Sequence, residues 1–69
     1  MSTATETATL AGLVDELTAR LAPALGGAAQ SETRRLVCLA TGADRTRLVV
    51  APDAPVDPAA AARARALAE

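Results

Sequence analysis

Sixty-nine residues make one small domain, near the lower limit at which a single core suffices without disulfides or a metal. The formal charge is −1, with seven Arg, no Lys and no His, which gives no electrostatic case for nucleic acid or an anionic membrane. The lone Cys excludes an internal disulfide, the opening MSTATETATL does not read as a signal peptide, and no stretch approaches the ~20 apolar residues of a membrane span.

These features point to a soluble, cytoplasmic chain with a thin core. Nineteen residues are Ala, while the large aliphatics are nine Leu and five Val, with no Ile and no aromatic residue. At roughly 1.5–3 kcal/mol per fully buried large side chain, the surplus over chain entropy is small.

In chain order, residues 1–8 read as a frayed lead-in and 9–69 as a single helical domain. Thr9 can cap a first helix whose stripe is Leu10, Leu13, Val14, Leu17 and Leu21, with Glu16 and Arg20 facing water at i,i+4. Pro23 predicts an end to regular helix near Ala22, with Leu25 packed beneath, and Gly26-Gly27 forms a corner. Ser31 is the expected N-cap of a second helix, with Glu32 in its first turn. Its apolar face is Leu36, Val37, Leu39 and Ala40, and Gly42 supplies the left-handed residue that stops it.

Asp44 caps a shorter helix whose buried face is expected to be Leu48 and Val49, with Val50 beside them. Pro52 and Pro55 flank a turn. Asp57 caps a last helix, Pro58 takes its first position, and an Ala-rich run follows to Glu69. That helix has a clear start and no stop signal, and Leu67 is its one large apolar residue. It reads as lightly anchored: either it frays in solvent, or the chain is a fragment whose helix continues in a longer parent, the preferred reading. The fold class is therefore all-α: a small bundle of four to five short helices, with a proline turn before the last.

Catalytic chemistry is missing. Without His there is no imidazole base and no usual zinc site, and Cys38 beside an apolar face reads as a small core residue. Asp15 and Glu16 are adjacent on a helix and diverge, while Asp53 and Asp57 are explained as turn and cap. Gly26-Gly27 lacks the strand-then-helix setting of a phosphate loop. No catalytic, cofactor or metal residue is assigned. Arg34, Arg35, Arg45 and Arg47 bracket a helix–Gly–helix like a helix-turn-helix DNA reader, but solvated charge explains them in an acidic chain. Arg45 and Arg47 are kept as exposed candidates for a partner contact.

From Ser31 onward the chain resembles the N-terminal helical domain of the HemK-type release factor glutamine methyltransferases. The resemblance is carried by LVCLATG (36–42), DRTRLVV (44–50), PDAP (52–55) and VDPAAAARARALAE (56–69), in that order; LAGLVDELTARL matches in position and pattern only. Arg34-Arg35 and Thr41 stand where family members often carry more acidic or aliphatic residues, and Cys38 where Ala is frequent. The resemblance implies a second, Rossmann-like catalytic domain that binds S-adenosylmethionine and carries an Asn-Pro-Pro-Tyr motif. The helical domain would dock a peptide chain release factor so that its Gly-Gly-Gln loop is modified. None of those catalytic motifs is in this chain. A standalone helical adaptor and a small DNA-binding regulator are the alternatives.

Overall fold

A computed structural model describes residues 8–69. Its helices are α1 (Leu10–Leu25), α2 (Ala29–Thr41), α3 (Arg45–Val50) and α4 (Pro58–Leu67), with a 3-10 turn, Gly26–Ala28, between α1 and α2. No strand occurs among the described residues; the one β-bridge pairs Thr9 with Pro55. Helix α2 packs against both α1 and α4, whereas α3 has six residues and buries none of them fully. The expected bundle of four to five helices is thus corrected: three helices pack, and α3 is a connector of under two turns.

Helix α1 begins as its sequence dictates. Thr9 is extended, and its Oγ1 accepts the Gly12 N–H at 3.0 Å. The remaining first-turn donors are met from far along the chain. Leu10 N–H donates to the Ala54 carbonyl (3.1 Å) and Ala11 N–H to the Pro52 carbonyl (2.9 Å), while Val56 N–H donates to the Ala8 carbonyl (2.7 Å). The proline segment is thus a turn, closed by Ala54 N–H on the Ala51 carbonyl at 3.0 Å, and also the cap of a helix end whose amides would otherwise lack partners. Apart from Ala8, which packs against the core, the lead-in expected over residues 1–8 lies outside the described residues.

Two expected boundaries are corrected. Helix α1 runs through Pro23 to Leu25, because a proline this near the end removes one ladder bond, to the carbonyl of exposed Ala19, where solvent can serve it. The ladder resumes at once: Gly26 N–H reaches the Ala22 carbonyl, and Gly26, at φ 56°, turns the chain. Leu25, expected to pack beneath, is exposed. Ser31 is not an N-cap. The 3-10 turn feeds helical backbone directly into α2 through Ala28, which caps with no side-chain bond, and Ser31 sits exposed in the first turn.

Gly42 ends α2 at φ 78°, in the left-handed region, with its N–H on the Cys38 carbonyl at 2.9 Å. Thr41 Oγ1 donates to the Val37 carbonyl, and Arg63 Nη2 reaches across from α4 to the Ala40 carbonyl at 3.2 Å, so a cation serves the negative end of the helix. A Cβ at Gly42 would meet nothing within 4 Å, so substitution there is penalised through backbone conformation alone. Gly42→Val is expected to cost about 1–2 kcal/mol. A thermal melt should show the midpoint falling by roughly 4–16 °C; an unchanged melt would mean that the helix does not stop there.

Asp44 caps α3 by accepting the Arg47 N–H at 2.8 Å, and Asp57 caps α4 by accepting the Ala59 N–H at 3.0 Å, with Pro58 at the first helical position. The expected faces of these helices are corrected. Successive helical side chains fan out by about 100° each, so only one of three consecutive aliphatics on α3 can face the body. Leu48 is half-buried, while Val49 and Val50 stay 79% and 72% exposed. On α2, Leu39 is 75% exposed, and Thr33 is fully buried beside Val37 and Ala40. On α4, Leu67 is 58% exposed, and the anchoring face is Ala60, Ala61, Ala64 and Ala68.

The core therefore sets Leu10, Leu13, Val14 and Leu17 of α1 against Val37, Ala40, Val56 and the alanines of α4. The radius of gyration, 11.6 Å, is close to the ~11 Å of a compact chain this long. The principal-axis extents are 34, 27 and 16 Å, a flattened body. Thr33 Oγ1 lies in this core with no hydrogen-bond partner. Thr33→Val keeps the shape and removes a buried, unsatisfied hydroxyl, so it is expected to stabilise the fold by about 1 kcal/mol. A chemical-denaturation midpoint that fails to rise would show that the hydroxyl has a partner in solution.

Helix α4 is also tied to α1. The Glu16 carboxylate, expected to face water with Arg20 one turn on, accepts Nε and Nη2 of Arg65 at 2.7 and 2.9 Å. The Arg65 hydrogen bonds hold the Glu16 carboxyl below its ordinary value, against a smaller opposing effect of burial. Its stabilisation is therefore present at neutral pH and lost as pH falls through the lowered carboxylate value. Both side chains are more than 40% exposed, so solvent screening limits the pair to well under about 1 kcal/mol.

Candidate interaction surface

Every residue singled out from the sequence for its position in a turn or cap sits at a chain reversal or in a helix's first turn, and none converges with others into reactive chemistry. Gly42, Asp44, Pro52, Pro55, Asp57 and Pro58 shape the backbone. Among the described residues no group of three or more His, Cys, Asp or Glu could hold a metal ion, and Cys38 is a half-buried thiol. No helix among the described residues is long and apolar enough to cross a membrane. Of several surface depressions, two are lined by three or more Leu or Val side chains.

The first lies between α1, α2 and α3, with a volume of about 360 Å³. Its aliphatic wall is Val14, Leu48 and Val49, and its charged rim is Arg34, Arg45 and Asp15. The second has about 370 Å³ and is lined mainly by leucines: Leu21, Leu25, Leu36, Leu39 and Leu67, with Glu32, Arg35 and Glu69 at its edge.

The arginines are distributed differently from the sequence pairing. Arg45 and Arg47 are two residues apart on a helix and so diverge. Arg45 joins Arg34 at the first groove, whereas Arg47 lines a separate depression with Thr41, Gly42 and Asp57. Arg35 faces the leucine groove. The four arginines that bracket Gly42 thus go to three places and form no single basic stripe. The Arg34–Arg45 juxtaposition was beyond sequence reasoning, because the reversal at Gly42 that creates it fixes no angle between α2 and α3. Leu39 and Val49, expected on buried faces for lack of that same geometry, are exposed.

No curated protein and no solved structure matches the chain. A family model described as the PrmC N-terminal domain matches residues 12–69, from the first turn of α1 through all the later helices. The proline cap, the Gly42 stop and the Asp57-Pro58 start all lie inside that span. The chain belongs to this family, the N-terminal domain of the HemK/PrmC release factor glutamine methyltransferases, which implies a methyltransferase parent with a C-terminal catalytic domain.

Proposed function

We propose that the chain is the docking domain of that enzyme: it holds a peptide chain release factor so that the Gly-Gly-Gln loop enters the catalytic domain. The family match over residues 12–69 carries this reading. It is supported by a flattened body that leaves Leu39, Val49, Val50 and Leu67 on its surface, a form suited to contact.

S-adenosylmethionine belongs to the parent's catalytic domain. The residues here do not fit it: Gly26-Gly27 lies in a 3-10 turn between helices, with no strand before it and open space around both glycines. This chain by itself transfers no methyl group, and it works in the cytoplasm as a piece of the two-domain protein. A chemical-shift titration of the labelled domain with a bacterial peptide chain release factor tests the reading. Site-limited shifts at near-equimolar partner are expected; unchanged spectra at excess would end it.

A second reading, an adaptor that pairs with another copy of itself, is favoured by the leucine groove. It requires a mass in solution above that of a monomer, measurable by sedimentation. A DNA-binding regulator has less support, because the arginines do not converge.

A further inference from the structure

We propose that the groove between α1, α2 and α3 receives an acidic segment of the partner protein that carries an aliphatic side chain. The inference rests on the docking reading and names the face that does the docking and the chemistry it selects.

Charge is the first observation. Residues 29–50 hold Arg34, Arg35, Arg45 and Arg47 against Glu32 and Asp44, a balance of +2 in a chain whose total is −1. The Asp44 carboxylate is engaged in capping α3. Among the described residues the one ion pair is Glu16–Arg65, so Arg34 and Arg45 reach the groove with no carboxylate bound to them. A guanidinium offers a planar fork that suits a carboxylate in two parallel hydrogen bonds.

The wall is the second observation. Val49 leaves most of its side chain in water and lines the groove with half-buried Leu48 and buried Val14, in the company of the two arginines and Asp15. A volume of about 360 Å³ is at the small end of ligand sites, suited to an anchoring side chain more than to a large molecule. The rim acid, Asp15, disfavours a polyphosphate backbone, which would need several converging cations. The leucine groove makes no such selection, since Glu32 and Glu69 offset Arg35 there.

Arg34 and Arg35 are neighbours in sequence that face different grooves, so they form a matched pair of variants. The experiment is a calorimetric titration of the 69-residue chain with a bacterial peptide chain release factor. Wild type is compared with Arg34→Glu, Arg35→Glu and Val49→Ser, all at exposed positions, with helicity checked by circular dichroism. Arg34→Glu is expected to weaken binding about tenfold or more, and Arg35→Glu by no more than about twofold, although both change the net charge equally. Val49→Ser is expected to weaken it several-fold, and added salt should narrow the gap between wild type and Arg34→Glu. Equal losses for the two arginine variants would overturn the groove assignment while leaving docking intact. No heat with wild type would overturn both.

Discussion

Leu13→Ala is expected to leave the domain largely unfolded at room temperature. Leu13 is wholly inaccessible to solvent and sits at the centre of the α1 stripe. Truncating a buried leucine costs about 2–5 kcal/mol, with the higher values where the surroundings cannot collapse into the space. Five of the eleven buried residues of this core are alanines, whose methyl groups have no torsions with which to fill a cavity. A single core of this size supplies only about 3–5 kcal/mol in total. Far-ultraviolet circular dichroism and amide dispersion should therefore both collapse. A variant that still melts within a few degrees of the parent would show that α1 is not the centre of the core.

Ala64→Leu is expected to do comparable damage by the opposite route. Ala64 has no accessible surface, and its small size is what lets the α4 backbone come close to its neighbours. Three extra carbons must push the helices apart or force strained rotamers, at about 1–3 kcal/mol or more. Ala62 is the control: it lies two residues away on the exposed side of the same helix, and leucine is nearly as good a helix former as alanine. Ala62→Leu should change stability by no more than about 0.5 kcal/mol. The comparison is read from urea midpoints. Equal shifts for the two substitutions would mean that the alanine face is not an interface.

The alanines also explain what the sequence concealed. A hydropathy stripe ranks residues by the free energy of leaving water, so Leu39 and Val49 are expected inside, while Ala60, Ala61 and Ala64 signal only helix propensity. The folded chain ranks them by fit: large side chains from α1 fill the space, and α4 contributes smoothness. Thr33 shows the same override in reverse, a polar residue carried inside by its position on α2. Punctuation was more legible because it depends on neighbouring backbone groups. Thr9, Gly42, Asp44 and Asp57 each act on an N–H or a torsion within a few residues of themselves. Pro23 and Ser31 misled for local reasons too, one by lying too near a helix end to break it and one because the preceding turn was already helical. Of the first groove, Arg45 could be picked out as an exposed cation. Its companion Arg34 and the wall formed by Val14, Leu48 and Val49 could not, because α1, α2 and α3 bring them together only in three dimensions.

The proline segment has a consequence for how the chain comes to be. The acceptors for the first two amides of α1 are carbonyls of Pro52 and Ala54, more than forty residues downstream. At about 5–20 residues per second on the ribosome, those carbonyls are made some 2–9 s after the amides they serve. Until then the opening turn of α1 has only water and Thr9 to satisfy it, and it can fray while the rest of the nascent helix forms. The helix that emerges first is thus closed late, by residues synthesised just before α4. The first turn of α1 is made early and capped late.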